Sequence, residues 1–330
     1  MRTMTYLDAI VEAQREEMAR DEKTFLMGLD VSWNITGTAG NKNGTLSEQF
    51  GLDRVRDAPI SENSYLGAGA GAAMVGMRPI IEIEIAPFIY VAMDQLVSII
   101  SKSTYIYGGQ ASLPITIRMP MMYNVANAAQ HSDRPISTLA TLPGLKIIAP
   151  STPKDMYGLL RTAIQTNDPV VVFEDFTRAG ISGEVPEADD DFTIPLGKAD
   201  IKRQGSDVTI VTISGALGAA ETAAEQLAGE GIEAEILDPR SIFPLDLDAI
   251  LASVAKTGKL VVVDPCHDFS SIASQIAAEV AQEAFWDLEA PIQRVTTPHT
   301  HIPLRPVDGK TTVSQRRTHC GRRPQDHGMR

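Results

Sequence analysis

Cysteine is scarce in this chain, which has only two in 330 residues. Cys266 and Cys320 lie far apart in the sequence, and neither stands at the short spacing that is typical of a metal-binding motif. The chain therefore has no disulfide framework and no cysteine-based metal centre to organise its fold. We expect both thiols to be free.

Long apolar runs and an excess of basic residues are also missing. The first residues contain no apolar stretch of signal-peptide or membrane-spanning length. The chain has 29 Lys and Arg against 42 Asp and Glu, which gives a formal net charge of -13. A surface of that sign repels nucleic acid and anionic membranes. We therefore expect a cytoplasmic protein that binds neither.

The chain does show a regular alternation of strand and helix patterns, which is typical of α/β proteins with parallel sheets. A stretch dense in Gly, Pro and acidic residues interrupts this alternation from residue 178 to residue 205. The sequence predicts two parallel-sheet, three-layer domains. The predicted parts are a first domain at 1–180, a linker at 181–205, a second domain at 206–308 and a basic, disordered tail at 309–330.

The first domain is organised around residues 57–88, and the centre of this stretch is Glu62. Ser61 is a good N-cap, and the small residues after it predict a closely packed helix over residues 63–77. Glu62 then lies on the first helical turn, where the helix dipole stabilises a carboxylate. An exposed capping acid is the common explanation of such a residue. Apolar neighbours such as Ile60 instead favour a single acid at the mouth of an apolar crevice.

Three glycines in this helix, Gly67, Gly69 and Gly71, also suggest a phosphate-binding turn. In a dinucleotide fingerprint the first glycine joins the strand directly to the helix N-terminus. Here Gly67 comes several residues after the predicted helix start. Close packing of the helix is therefore the better interpretation, and the dinucleotide site is the lesser alternative.

Patterns elsewhere in the first domain predict further elements. Residues 1–21 show the pattern of one amphipathic helix, and residues 88–102 show another. Between them, alternation from Arg78 onward predicts a strand with isoleucines on one face and Glu82 and Glu84 on the other. Acids on a strand of a covered parallel sheet need a partner or a ligand, because an unpaired buried charge is costly.

Several motifs together resemble one protein family. PISEN, GAGAGAAMVGMRPIIE and FIYVAMDQL are followed in unbroken order by YGGQ, AAQHS, LPGLKIIAPSTP and DPVVVFED. This series resembles the beta subunit of the thiamine-diphosphate-dependent 2-oxoacid dehydrogenases of the pyruvate, branched-chain and acetoin types. The resemblance implies a transketolase-like pyrimidine-binding domain followed by a transketolase C-terminal-like domain.

The resemblance also implies roles for particular residues. Glu62 would hydrogen-bond the distal nitrogen of the cofactor's aminopyrimidine and favour the tautomer that deprotonates the thiazolium carbon. His131, in the loop motif AAQHS, would contact the substrate carboxylate or the reaction intermediate. The implied cofactor-binding set is Ile60, Glu62, Glu84 and Phe88. Glu84 departs from the family, which has an aliphatic or amide residue there, so substrate or tautomer control is expected to differ. Without the resemblance, a surface histidine and a core phenylalanine are the plainer interpretations of His131 and Phe88.

Expectations about metals and partners come from the same resemblance. Some family members bind a structural potassium ion at a turn that matches residues 163–168. The implied potassium ligands are Ile115, Ala163, Ile164, Thr166 and Asp168. The family's Gly-Asp-Gly motif for magnesium is absent from this sequence. The resemblance therefore implies an alpha subunit that holds magnesium, in an α2β2 heterotetramer with thiamine diphosphate shared between the subunits.

The implied function is oxidative decarboxylation of a 2-oxoacid, or cleavage of acetoin, with acyl transfer to the lipoyl-lysine of an acyltransferase partner. Two alternatives stay open. One is a split transketolase subunit that transfers a two-carbon unit, and the other is a non-catalytic scaffold subunit. The sequence does not distinguish among the possible 2-oxoacids and acetoin.

Overall fold

A computed structural model describes residues 1–33, 37–122 and 127–303. The predicted tail at 309–330, the last residues of the predicted second domain and residues 123–126 before His131 lie outside this description. Among the described residues, every helix is too short or too polar to cross a bilayer.

Strands and helices alternate through most of the chain. The strands are β1 (Arg2–Thr5), β2 (Thr24–Leu29), β3 (Gly40–Asn41), β4 (Gly44–Thr45), β5 (Val55–Ala58), β6 (Arg78–Glu82), β7 (Thr116–Met121), β8 (Lys146–Ile148), β9 (Val170–Asp175), β10 (Ser182–Val185), β11 (Asp200–Arg203), β12 (Val208–Thr212), β13 (Ala234–Asp238), β14 (Ser241–Phe243), β15 (Leu260–His267) and β16 (Gln293–Thr297). The helices are α1 (Tyr6–Arg20), α2 (Leu46–Phe50), α3 (Glu62–Met74), α4 (Ser103–Ile106), α5 (Ala128–Ser132), α6 (Ile136–Ala140), α7 (Pro153–Gln165), α8 (Leu217–Gly229), α9 (Leu247–Thr257) and α10 (Ile272–Glu283).

The first sheet has seven strands in the order β14-β8-β9-β7-β6-β2-β5, and all pairs except β14–β8 are parallel. Its two faces are both covered, since neighbouring residues of one strand enter different cores. Ile80 and Val172 pack with α1 and α7, whereas Ile81 and Val171 pack with α3. Burial on both faces explains why these strands read as continuous apolar runs.

The second sheet has five strands in the order β11-β13-β12-β15-β16, with β11 antiparallel to β13. Ile210 and Ile236 pack with α8 on one face. Val211 and Leu237 share a core with α9 and α10 on the other face. Both sheets are thus the middle layers of three-layer sandwiches, which confirms the predicted α/β class.

Three predicted elements of the first domain were wrong in detail. Residues 2–5 form a strand that pairs with β10, and the helix begins only after Thr5, whose side chain caps it in a box with Asp8. The single helix predicted over 88–102 is replaced by a 3-10 segment at Ala86–Ala92 and a π segment at Gln95–Ile100. The strand predicted to run on through Glu84 ends at Glu82 because the chain turns into this 3-10 segment.

The segment predicted as a linker contributes to both halves of the molecule. Its first strand, β10, pairs with β1, and its second strand, β11, forms the edge of the second sheet. β14, which follows β13 in sequence, instead joins the first sheet beside β8. All three pairings are antiparallel: β1 and β10 form a separate two-stranded sheet, whereas β11 and β14 are edge strands of the two large sheets. No periodic apolar pattern in the sequence predicts them.

Candidate active site

The carboxyl ends of four neighbouring strands bring the predicted site residues to one edge of the first sheet. β5, β2, β6 and β7 are adjacent and parallel, so their carboxyl ends meet at the same edge. Asp30 follows β2, Glu62 follows β5, and Glu84 follows β6. His131 comes after β7, beyond the undescribed residues 123–126. This edge is the usual position of ligands in open α/β sheets.

Glu62 is the first residue of α3 and is only 7% exposed. Ser61 occupies the predicted N-cap position, although its side chain makes no capping hydrogen bond. Tyr65 and Leu66 on the next turn are buried, which supplies part of the expected apolar setting. Within the described part of the chain, the Glu62 carboxylate has no hydrogen bond or ion pair. A buried carboxylate without a partner is costly, so this group fits a ligand that shares a proton with it.

The glycines of α3 serve helix packing. A Cβ atom at Gly69 would lie 2.6 Å from Ile81 Cδ1, and one at Gly67 would lie 2.8 Å from Gln95 Oε1. At Gly71 the space is open. Because α3 begins at Glu62, before any of these glycines, the order of elements differs from a dinucleotide-binding turn. The close-packing interpretation is therefore confirmed at Gly67 and Gly69.

Phe88 and His131 contact each other at this edge. Their ring centroids are 5.4 Å apart and the rings meet edge to face at 69°. Both side chains are half-buried. His131 lies in the short helix α5 and not in the loop that the sequence predicted. The two predicted site residues are thus in contact although they follow different strands and are far apart in the sequence.

Glu84 is a second carboxylate at the site, and it is half-buried. Burial raises the pKa of Glu84, and the charges of Glu82, Asp30 and Glu62 raise it further, while His131 acts in the opposite direction. Ile60, the remaining predicted contact, is 81% exposed in the isolated chain. The acidic part of the site around Glu84 is therefore partly buried, whereas the part around Ile60 is open to solvent.

A buried charge network beneath the site was not predicted from the sequence. Arg118 on β7 is fully buried, and its Nε and Nη2 donate to the two carboxylate oxygens of Glu174 at 2.6 and 3.0 Å. Its Nη1 donates to Glu82 at 3.0 Å and to Gln14 at 2.9 Å. Burial raises the pKa of Glu174 to about 6, although Arg118 opposes the shift. The feature of the sequence that could have indicated this network was the single arginine in the apolar strand segment TIRM.

This network also holds the loop that follows β2. The Thr38 hydroxyl donates to Glu82 at 2.9 Å, and the Gln14 side-chain amide donates to the Thr38 carbonyl at 2.6 Å. Glu82 is the last residue of β6. The network therefore fixes the point at which the chain leaves the sheet towards Glu84.

The turn implied as a potassium site has a different set of partners in this structure. The Arg78 side chain donates from Nε to the Ile164 carbonyl at 2.9 Å and from Nη2 to the Thr166 carbonyl at 2.6 Å. The Asp168 carboxylate pairs with Lys146 at 2.6 Å. Two cationic side chains thus already face the oxygens that a metal ion would need. These residues, paired in this way, do not fit a bound potassium ion.

Comparisons with known proteins agree with this architecture. The profile of the transketolase pyrimidine-binding domain matches residues 2–177, and that of the transketolase C-terminal domain matches residues 197–311. The beta subunit of acetoin:2,6-dichlorophenolindophenol oxidoreductase from Bacillus subtilis (strain 168) is 45% identical over 93% of this chain and 92% of its own length. The 2-oxoisovalerate dehydrogenase beta subunit of the same organism is 43% identical, again over 93% and 92%.

Two more relatives extend the comparison. The beta subunit of the pyruvate dehydrogenase E1 component of Bacillus subtilis (strain 168) is 39% identical over 92% of this chain and 93% of its own length. A solved structure titled as a split-gene transketolase, inactive beta4 tetramer, is 22% identical, covers 89% of each chain and has a TM-score of 0.73. At that identity the similarity shows the fold alone.

The fold and the site define a transketolase-like α/β protein that carries its acidic groups at the carboxyl edge of the first sheet. Sequence identities of 39–45% to the three named beta subunits go further. The chain belongs to the family of beta subunits of thiamine-diphosphate-dependent dehydrogenases that act on acetoin, branched-chain 2-oxoacids and pyruvate. This confirms the family predicted from the motifs.

Proposed function

We propose that this chain works with an alpha subunit to decarboxylate a 2-oxoacid or cleave acetoin, and that the acyl group passes to a lipoyl-lysine of an acyltransferase partner. The names of the relatives support the reaction class. The observation that carries the proposal is Glu62, a nearly buried carboxylate with no partner among the described residues. A protein that kept the fold only as a scaffold has no need of such a costly group.

Glu62 supplies the acid–base function of the site. When bound, thiamine diphosphate would supply a nucleophilic thiazolium carbon, and its positively charged ring would take up the electron pair released on bond cleavage. The Glu62 carboxylate shares a proton with the distal pyrimidine nitrogen and so favours the cofactor tautomer that the reaction needs. Tyr65 and Leu66, which are buried on the next turn of α3, give this end of the helix an apolar setting, and a hydrogen bond is stronger where the local dielectric is low. Phe88 offers an aromatic wall for the pyrimidine ring.

The chain supplies one half of the cofactor site, and we propose that the alpha subunit supplies the other half. The diphosphate requires a divalent cation held by oxygen ligands. Within residues 1–33, 37–122 and 127–303, no three His, Cys, Asp or Glu side chains cluster as a metal site. In this proposal the alpha subunit holds the magnesium ion, as the family resemblance implies, and the two kinds of subunit form a symmetric α2β2 assembly.

The open flank of the site fits this arrangement. Ile60 is 81% exposed and Trp33 is 79% exposed. Ser32, next to Trp33, donates from its backbone N–H to Asp57 at 2.8 Å, which draws the Trp33 loop towards the segment that carries Ile60. Two large apolar side chains beside a half-built site are suited to burial against a second subunit. The cytoplasmic location expected from the sequence stays a prediction.

Replacement of His131 by Ala in the reconstituted complex tests the proposed function at a second residue. We expect kcat to fall by about 10²- to 10⁴-fold, which is the range for losing one positioned proton donor or oxyanion partner. Cofactor affinity should stay close to that of the native complex, because His131 reaches the site from β7 and not from α3. The measurement is turnover with acetoin, pyruvate and 2-oxoisovalerate, together with calorimetric binding of thiamine diphosphate.

A matched loss of cofactor affinity and turnover in His131→Ala would contradict this placement. Native turnover in the variant would remove His131 from the site. An exposed histidine, His299, provides the control, and His299→Ala should leave both quantities unchanged. The split-transketolase alternative predicts transfer from a ketose phosphate in the same assay.

A further inference from the structure

We propose that Glu84 selects against anionic substrates, so that this site favours an uncharged α-hydroxyketone over a 2-oxoacid. The inference rests on the proposed function and names the substrate class of the same site. The compounds in the names of the relatives differ in charge. Acetoin is uncharged, whereas 2-oxoisovalerate and pyruvate are anions.

Glu84 lacks the neutralising partners that its neighbour Glu82 has. Glu82 is 1% exposed, and its charge is met by the Arg118 guanidinium and the Thr38 hydroxyl. Two residues further on, after the chain has left β6, Glu84 makes no hydrogen bond or ion pair within the described residues. It is half-buried at the ligand edge of the sheet. A negative charge at this edge acts on whatever occupies the site.

The groups that face Glu84 do not cancel this charge. The charges of Glu82, Asp30 and Glu62 act on it in the same sense, and the basic side chain of His131 acts in the opposite sense. Glu62 is committed to the cofactor in the proposed function, and Glu82 is paired with Arg118. Glu84 remains as the uncompensated charge beside the substrate-facing histidine.

An uncompensated charge is a known means of specificity, because it penalises one ligand without improving the other. A 2-oxoacid has a carboxylate directly beside its reacting carbonyl, whereas an α-hydroxyketone such as acetoin has an uncharged hydroxyalkyl group in that position. Repulsion between like charges in a partly desolvated site disfavours the anion. A tenfold preference corresponds to a free-energy difference of about 1.4 kcal/mol, which repulsion between one pair of like charges can supply.

Proton uptake by Glu84 gives the preference a definite pH dependence. Burial and the neighbouring acids raise the pKa of Glu84, so it takes up a proton at a higher pH than an ordinary glutamate. The protonated form repels no anion. The ratio of 2-oxoacid to hydroxyketone efficiency should therefore increase as the pH falls towards mildly acidic values.

Glu84→Gln in the reconstituted holo-complex is the test, because the amide keeps the shape and removes the charge. We expect the ratio of kcat/KM for pyruvate to that for acetoin to increase about tenfold. The pH dependence of this ratio should also disappear in the variant. Glu221→Gln, on the exposed face of α8, is the matched control and should leave the ratio unchanged.

A second measurement does not depend on turnover. The affinities of pyruvate and acetoin for the cofactor-loaded complex are measured by calorimetry in a Glu62→Gln background, with and without Glu84→Gln. We expect the pyruvate-to-acetoin affinity ratio to increase when Glu84 is replaced. An unchanged ratio in either measurement overturns the role of Glu84. Absence of turnover by the native complex with every substrate overturns the proposed function, while the affinity ratio still decides the role of Glu84.

Discussion

Glu62→Gln is expected to lower the turnover of the reconstituted complex by at least about a hundredfold. The amide cannot share a proton with the distal pyrimidine nitrogen in the same way, and general acid–base catalysis of this kind contributes about 10²- to 10⁴-fold. The folded state should not be weakened, because the lost carboxylate is nearly buried and has no partner among the described residues. Turnover and the thermal unfolding midpoint are measured on the same preparation.

Glu221→Gln is the control for this substitution, since it makes the same chemical change on the exposed face of α8. It should leave turnover and stability at native values. If Glu62→Gln also retained native turnover, the enzyme interpretation would fail and the scaffold interpretation would remain. A simultaneous loss of stability would indicate that Glu62 is a structural cap.

Arg118→Met is expected to have the largest effect on stability. The substitution leaves Glu174 and Glu82 buried without their common partner. Removing one member of a buried ion pair costs about 3–5 kcal/mol, because the remaining charge is desolvated and unpaired. Chemical denaturation monitored by circular dichroism measures the change in the free energy of unfolding.

Two comparison variants make the Arg118 result specific. Arg20→Met breaks a pair with Asp191 in which the side chains are 50% and 65% exposed, and such pairs contribute about 0–1 kcal/mol. Adding Glu174→Gln to Arg118→Met should restore part of the loss, since one unpaired charge disappears. A loss in Arg118→Met no larger than that in Arg20→Met would show that the network carries little stability.

Local signals in the sequence were sufficient for the elements that position Glu62. Small residues after Ser61 predicted α3, and the glycines at 67 and 69 do allow close packing. The start of α7 was also predictable, because Thr152 caps it ahead of Pro153. These features depend on residues within one or two turns of each other. A capping residue, a proline or a run of small side chains acts over that range.

The Arg118 network could not be predicted because its partners are remote in sequence. Glu82 is 36 positions away, Glu174 is 56 and Gln14 is 104. The alternation around Glu82 indicated that the acid needs a partner, but it could not identify which basic residue provides it. The same limit applies to β14, whose partner β8 lies in the first sheet.

The contact between Phe88 and His131 shows how family resemblance and structure complement each other. The motifs predicted that both residues serve the cofactor or the substrate, but nothing in their spacing predicted a ring contact of 5.4 Å. The contact requires β6 and β7 to be neighbours in the sheet, which is a property of the topology. The exposure of Ile60 was likewise beyond the sequence, because it depends on a surface that the isolated chain leaves open.

Binding of thiamine diphosphate to the isolated chain tests most directly whether this protein holds half of a cofactor site. Calorimetry is performed with magnesium present, first on the isolated chain and then on its complex with the alpha subunit. In the proposed function, Glu62 and Phe88 serve the pyrimidine of the cofactor, and the alpha subunit holds the cation that the diphosphate requires. We expect negligible binding to the isolated chain and clear binding to the complex. Submicromolar binding by the isolated chain would contradict the shared site.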